Sequence, residues 1–157
     1  MRRRRRHAPV AVCAPRESSP VWRRVLTVPS MPEAVRTARY DATAALSEYR
    51  LDPESAFGGT VLLVVSELVA NAVRHAADRS PTVDVTLAVG AGQLVVGVAD
   101  ADPRLPDLSP HMMGRGLRTV ADLARAYDGA LSAEPAVRGS GKVVLARFVI
   151  PDGVGPF

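Results

Sequence analysis

Three polar side chains recur at every fourth position in an otherwise apolar segment. They are Glu67, Asn71 and His75, and the apolar period of residues 60–77 is that of a helix. At about 100° per residue, positions i, i+4 and i+8 form one polar stripe. A carboxylate and an amide oxygen suit a hydrated hard cation such as Mg²⁺, which prefers oxygen ligands. An ordinary amphipathic helix with a solvated edge would show the same pattern, so this alternative stays open.

Two further groups of residues lie where a predicted element meets a loop. Asp100 ends a predicted strand, and a carboxylate there can accept a hydrogen bond from an exocyclic amine such as that of adenine. A turn aspartate before a proline would look the same. The segment Gly114-Arg115-Gly116 opens a predicted helix at Leu117. Glycines at such a place let backbone N–H groups approach a phosphate, although a loop leading into a helix needs no ligand.

A fourth motif superficially resembles a phosphate-binding P-loop. It is the segment Gly139-Ser140-Gly141-Lys142, but a P-loop would require glycine at Ala136 and a hydroxyl at Val143. The segment is therefore interpreted as a hairpin turn.

The elements that must position these groups alternate between helical and strand periods. A capping box at Ser30-Met31-Pro32-Glu33 predicts the first helix. Asp52-Pro53-Glu54 can start another helix, whose first part Gly58-Gly59 is expected to break. We expect helices at residues 34–49, 60–77 and 117–127, and strands at 21–28, 82–89, 94–100, 130–133 and 142–150. The pattern predicts an α+β two-layer sandwich, a mostly antiparallel mixed sheet with helices on one face.

The positive net charge is confined to the start of the chain. Eight of the 20 basic residues precede Val25, against one acidic residue, so residues 25–157 carry 12 basic and 15 acidic residues. The arginine run predicts a disordered basic tail over residues 1–20, whose contact with nucleic acid, anionic lipid or an acidic partner stays open. With three Tyr, three Phe and one Trp, the chain lacks a basic-aromatic surface, and we expect no direct nucleic-acid function.

Composition indicates one domain, residues 21–157, beside that tail. The chain has 157 residues, of which 47% are apolar. No apolar run is expected to reach the ~20 residues of a membrane-spanning helix, because Glu67 and Asn71 interrupt the best candidate. The lone Cys13 excludes an internal disulfide framework and a cysteine-based zinc site. We therefore expect a cytoplasmic protein without membrane attachment. The single Lys, Asn and Ile beside abundant Arg, Ala and Val indicate a high-GC coding bias, which is typical of many bacteria.

The order and spacing of the motifs resemble the GHKL superfamily of ATPases and kinases, which includes gyrase and histidine-kinase catalytic domains. Glu67, Asn71 and His75 match its N-box, Asp100 its first glycine box, and Gly114-Arg115-Gly116-Leu117 its second. More closely, SELVANAVRHA, GRGL and GKVV are similar to the stand-alone anti-sigma-factor serine kinases of bacterial partner-switching systems. The resemblance covers nearly the whole predicted domain and implies a Bergerat-type fold that binds ATP.

That resemblance implies a role for each matching residue. Asn71 would ligate Mg²⁺ bridging the phosphates, Glu67 would act as general base, and Asp100 would accept a hydrogen bond from the adenine amine. His75 and the segment Gly114-Arg115-Gly116-Leu117 would complete the ATP site, with the glycine segment covering the phosphates. Phosphoryl transfer needs mainly positioning and charge neutralisation, which these parts would supply.

Two positions depart from the superfamily pattern. The first glycine box is usually Asp-x-Gly-x-Gly, whereas residues 100–104 are Asp-Ala-Asp-Pro-Arg. The residue after Gly141-Lys142 is Val143, where many members have a threonine near the base. Both departures concern the end of the site that would hold the adenine.

The resemblance implies a serine/threonine kinase that phosphorylates an anti-anti-sigma partner and binds a sigma factor; such proteins often form homodimers. Two alternatives remain open. One is a non-catalytic anti-sigma or other regulatory module with a structural nucleotide, and the other is a free-standing ATPase. Glu67 favours the enzyme, whereas the altered first glycine box favours the module.

A chain that starts at Val21 tests the expected boundary between tail and domain. We expect unchanged ATP affinity and melting temperature, because residues 1–20 offer no periodic apolar face to dock. Calorimetry and a thermal melt of both chains measure this. A much lower melting temperature, or loss of ATP binding, would make the tail part of the fold.

Overall fold

The computed structural model describes residues 21–155, so the predicted basic tail and Cys13 lie outside the described residues. In chain order the elements are β1 (Trp22–Pro29), α1 (Ala34–Glu48), α2 (Ala56–Ala76), β2 (Thr82–Gly90), β3 (Gln93–Asp100), α3 (Arg115–Ala126), β4 (Ala130–Pro135) and β5 (Lys142–Val149). The predicted element types are therefore confirmed.

The sheet is built around the β2–β3 hairpin predicted from alternating apolar residues. Its order is β1-β2-β3-β5-β4, and each of these neighbouring pairs is antiparallel. Val83, Val85, Leu87 and Val89 are buried on the helix side, while the residues between them are exposed or half-buried. The α+β two-layer sandwich is confirmed, although the described strand pairs are all antiparallel, so the sheet is not mixed. Strand β3, which ends at Asp100, lies at its centre.

Helix α2 is the most deeply buried helix and packs against both neighbouring helices and the sheet. Its apolar side includes Val61, Val65 and Leu68, each at most 1% exposed. By length and hydropathy α2 also meets the criterion for a membrane-spanning helix, so the expectation that no apolar run is long enough is wrong. Half of its most apolar window is buried within the fold, and core helices of soluble proteins meet the same criterion.

The capping box predicted at Ser30-Met31-Pro32-Glu33 does not form. Helix α1 begins at Ala34 rather than at Met31, and no side chain caps it. The backbone N–H of Ser30 donates to the carbonyl oxygen of Pro81 over 3.0 Å, which ties residue 30 to the neighbouring strand. Its hydroxyl is buried and has no hydrogen-bond partner within residues 21–155. Strand pairing therefore decides where the helix starts.

The two adjacent glycines at the start of α2 do not interrupt it, so that expectation is wrong. Ser55 caps the helix, its hydroxyl accepting from the backbone N–H of Gly58 over 3.0 Å. A Cβ atom on Gly58 would lie 2.2 Å from the carbonyl oxygen of Asp52, whereas one on Gly59 would meet nothing within 4 Å. Gly58 thus lets the preceding loop pack directly onto the helix backbone.

Alanine substitutions test whether Gly58 and Gly59 have the different surroundings described above. Gly58→Ala should lower the free energy of unfolding by about 1–3 kcal/mol, because the added methyl overlaps backbone atoms. Gly59→Ala is the matched control and should raise it by about 0.5–1 kcal/mol, since alanine costs less backbone entropy in a helix. Urea unfolding of both variants measures the difference. Equal effects would contradict the close approach at Gly58.

Candidate functional site

A cavity of about 480 Å³ lies between α2, the segment that leads into α3, and the adjoining ends of β3 and β5. Seven of the eight residues predicted from the sequence line it: Glu67, Asn71, His75, Asp100, Gly114, Gly116 and Leu117. Arg115 is exposed and does not line the cavity. The fold therefore brings three separate sequence motifs to one place.

The polar stripe of α2 forms one wall of this cavity. Glu67 and Asn71 are half-buried and His75 is exposed, one turn apart along an unbroken helix. Within residues 21–155, neither the Glu67 carboxylate nor the Asn71 amide has a hydrogen-bond partner. Because these side chains are unpaired and border a cavity, a ligand can bind against them. Polar side chains on a convex, solvent-exposed helix edge would offer no such enclosed site.

The first turn of α3 faces the same cavity. Gly114 is its N-cap residue, and no side chain caps the first turn. A Cβ atom on Gly114 would meet nothing within 4 Å, whereas one on Gly116 would lie 2.5 Å from Oε2 of Glu67. The unpaired N–H groups of a first helical turn attract negative charge. A methyl group at position 116 would therefore require the Glu67 side chain to move, because its carboxylate lies against this turn.

The segment before α3 is held by the helix that follows it. Nη2 of Arg118 donates to the carbonyl oxygens of Pro110 and Met113, over 3.2 and 3.3 Å. Met113 is buried and Met112 is 59% exposed; both border the cavity. The segment over the cavity is thus anchored at its α3 end.

Asp100 forms an ion pair that the sequence did not reveal. Lys142 lies opposite Asp100 in the β3–β5 register, and its Nζ donates to Oδ1 of Asp100 over 2.9 Å. The same Nζ donates to the carbonyl oxygen of Asp102 over 3.1 Å. The Lys142 and Asp100 side chains are 8% and 2% exposed, so the pair is nearly removed from bulk water. A cation therefore stands beside the carboxylate expected to contact adenine.

Asp102 and Arg104 occupy the two positions where the superfamily pattern has glycine. Asp102 is 2% exposed, and Nε of Arg104 donates to both of its carboxylate oxygens over 3.0 Å. Hydrogen bonds from the Arg104 side chain and backbone hold the pKa of the Asp102 carboxyl well below its usual range. Nη2 of Arg104 also donates to the carbonyl oxygen of His75 over 3.3 Å. The pair ties the segment after β3 to the last turn of α2.

The ion pairs made by three of the cavity residues, Lys142, Asp102 and Arg104, were not predicted. Lys142 was placed in a hairpin turn, at the start of the last predicted strand and in the GKVV motif, but it was given no role, although it is the single lysine of the chain. Asp102 and Arg104 are two positions apart, and this spacing is the local sequence feature that indicates their ion pair. Neither signal indicates which loop or strand the side chains will meet.

No metal-binding cluster of three or more His, Cys, Asp and Glu side chains occurs among residues 21–155.

Comparison with known proteins addresses the fold. Residues 28–147 match the family described as histidine kinase-like ATPase domain. No curated protein sequence matches the chain.

Three solved structures are similar to the chain. The histidine kinase AdeS of Acinetobacter baumannii is 16% identical, with a TM-score of 0.50, over 82% of this chain and 68% of that one. The ATP binding domain of PrrB from Mycobacterium tuberculosis is 21% identical, with a TM-score of 0.50, over 82% and 98%. The histidine kinase domain of the blue-light activated histidine kinase from Erythrobacter litoralis EL346 is 28% identical, with a TM-score of 0.48, over 59% and 44%. The present chain thus spans less than half the length of the last.

The AdeS and PrrB structures share the fold, and the family match covers more than half of the chain. The predicted superfamily is confirmed, while the anti-sigma kinase subtype stays a prediction. The chain belongs to the histidine kinase-like ATPase domain family, the ATP-binding GHKL type.

Proposed function

We propose that residues 21–157 bind Mg·ATP and transfer its γ-phosphoryl group to a serine or threonine of a small protein partner. The observation that carries this proposal is the Glu67 carboxylate, which borders the cavity without a partner and lies against the first turn of α3. This placement suits a group that accepts a proton during transfer.

The cavity has the size and polarity for a nucleotide. Its volume of about 480 Å³ lies within the roughly 300–1,000 Å³ typical of small-molecule sites. The free N–H groups at the start of α3 would receive phosphate oxygens. Asn71 would hold Mg²⁺ through its amide oxygen, and the ion when bound would neutralise charge on the phosphates. Asp100, at the far end of the cavity, would contact the base.

Transfer then depends on the position of Glu67. Its carboxylate would take the proton of the acceptor hydroxyl as that oxygen bonds to the γ-phosphorus. The bond from the γ-phosphorus to the bridging oxygen breaks, and ADP leaves with the electron pair. The backbone N–H groups of α3 would stabilise the charge on the phosphoryl oxygens.

As partners we infer an anti-anti-sigma protein as acceptor and a sigma factor as binding target, in the bacterial cytoplasm. The support is the resemblance of the motif set to stand-alone anti-sigma kinases. In this proposal residues 1–20 are an appendage, and the chain acts as a monomer or homodimer. No direct nucleic-acid or membrane contact is required for this function.

A second candidate is a regulatory module that holds nucleotide without transferring phosphate. The Asp102–Arg104 pair favours it, because these side chains replace two glycines that would let the backbone approach the base. A free-standing ATPase is the third candidate. Incubation with labelled ATP and with partners recovered by pull-down separates the three candidates. A labelled partner indicates the kinase, no turnover indicates the regulatory module, and phosphate release alone indicates the ATPase.

Asn71→Ala should weaken Mg·ATP binding at least about tenfold, because the site loses a hard oxygen ligand. Calorimetry with Mg²⁺ and with a chelator measures this, and the variant should lose most of its dependence on Mg²⁺. Thr60→Ala on the same helix is the control, since that hydroxyl donates only to the carbonyl oxygen of Ala56. Unchanged affinity of the Asn71 variant would refute the metal assignment.

Glu67→Gln should keep ATP binding and lose phosphoryl transfer by about 10²–10⁴-fold, since the amide cannot accept the proton. Binding is measured by calorimetry, and transfer by label incorporated into the partner. A variant that transfers at the original rate would show that Glu67 is not the base. A variant that no longer binds ATP would assign Glu67 to binding instead.

A further inference from the structure

The five-stranded sheet has one face covered by helices and one open face. Helix α1 contacts β1 and β2, α2 contacts β2 and β3, and α3 contacts β4 and β5. The helices lie on the side to which Leu87, Val96 and Ala146 point, and each of these residues is at most 3% exposed. We propose that the open face binds the same face of a second copy of this chain, so that the protein is a homodimer. The inference decides between monomer and homodimer, and it goes beyond the proposed function because it requires no nucleotide and no phosphoryl transfer.

The centre of the open face is a mainly apolar row that crosses the sheet. The strand register aligns five positions, which we call the central row: Val25, Thr86, Gly97, Leu145 and Ser132. Val25 is 51% exposed, and a Cβ atom on Gly97 would lie 3.1 Å from Cδ2 of Leu145, so this leucine covers the glycine. The solvated face of an antiparallel sheet is normally polar, whereas an apolar patch with a charged rim is typical of a protein–protein contact. Four further positions on this face are apolar: Ala88, Val95, Ala99 and Val143.

The rows on the two sides of the central row carry opposite charges. Arg23 and Arg147 lie in the same register on one side, and we call this the basic row. Asp84 and Glu134 lie in the same register on the other side, in the acidic row. All four side chains are exposed, and within residues 21–155 none of them forms an ion pair. Asp84 accepts a hydrogen bond from the Thr27 hydroxyl over 2.6 Å. The open face therefore has unpaired cations at one end and unpaired anions at the other.

One further cation lies near the acidic row. Arg138, in the loop between β4 and β5, borders a cavity of about 400 Å³ together with Asp84. Within the described part of the chain it pairs with neither Asp84 nor Glu134, and it lies beyond the end of β4. The acidic row is therefore available to the arginines of a second copy.

Charge complementarity selects one arrangement of the two copies. Two antiparallel sheets can pack face to face with their strands nearly aligned. A two-fold axis that runs across the strands reverses the strand direction, so it places the basic row of each copy against the acidic row of the other. Arg23 of one copy then faces Thr27 and Asp84 of the second copy, and Arg147 faces Glu134. Because the interface is symmetric, each contact is made twice. An axis along the strands would instead place the two basic rows against each other, which is unfavourable.

Sedimentation equilibrium of the full chain tests the dimer. Reversing one charge should raise the dissociation constant of the dimer at least about tenfold, for Arg147→Glu and for Glu134→Arg alike. The double variant Arg147→Glu/Glu134→Arg restores opposite charges across the interface, and it should dimerise nearly as well as the unmodified chain. Arg125→Glu, on the exposed side of α3, is the matched control and should leave the dimer unchanged. A monomeric unmodified chain, or a double variant as weak as the single variants, would overturn the inference.

A second measurement identifies what covers the open face. Residues 1–20 are the other candidate occupant, so a chain that starts at Val21 is measured beside the full chain. Equal dimerisation of the two chains supports the contact between sheet faces. Dimerisation of only one of them would refute it, because residues 1–20 would then either cover the face or make the contact themselves.

Calorimetry with Mg·ATP on the same samples separates this inference from the proposed function. The open face lies on the side of the sheet away from α2, whose Glu67 and Asn71 border the cavity. A monomer that binds ATP would refute only the dimer, whereas a dimer that does not bind ATP would refute only the proposed function.

Discussion

Helix α2 has to satisfy two opposite requirements at once, and the rest of the molecule depends on this. One side must be apolar enough to hold α1, α3 and the sheet together, as Val61, Val65 and Leu68 do. Another side must carry Glu67 and Asn71 to the cavity. A rigid, buried helix positions these side chains better than a loop would, because its backbone cannot shift without disturbing the core. The hydropathy of α2 is as high as that of a membrane-spanning helix because of the first requirement.

The polar side of α2 can reach the cavity because neighbouring segments of backbone pack closely against this helix. Glycine at position 58 lets the loop before α2 pack on its first turn, and glycine at position 116 lets α3 approach Glu67. At position 58 an added methyl group would meet backbone atoms, whereas at position 116 it would meet only the Glu67 side chain. The first turn of α3 thus lies beside the Glu67 carboxylate, and no side chain caps it.

Much of this fold could be predicted from the sequence, because the period of two in β2 and β3 and the period of 3.6 in α2 are local patterns. The same holds for the glycine segment that opens α3. The ion pair of Asp100 and Lys142 could not be predicted, since 42 positions separate the residues and only the strand order β3–β5 makes them neighbours. The capping box at Ser30 was wrong for a related reason, because a hydrogen bond to Pro81 took precedence over a local capping preference. Long-range pairing decided both of these cases.

The burial of Lys142 also affects how the protein can be chemically labelled. It is the single lysine of the chain, and its side chain is 8% exposed and paired with a carboxylate. Amine-directed reagents such as activated esters need an accessible amine, which a buried and ion-paired lysine side chain supplies poorly. Under native conditions such a reagent should therefore modify Lys142 slowly. Faster modification in mild denaturant would then report the opening of the contact between β3 and β5.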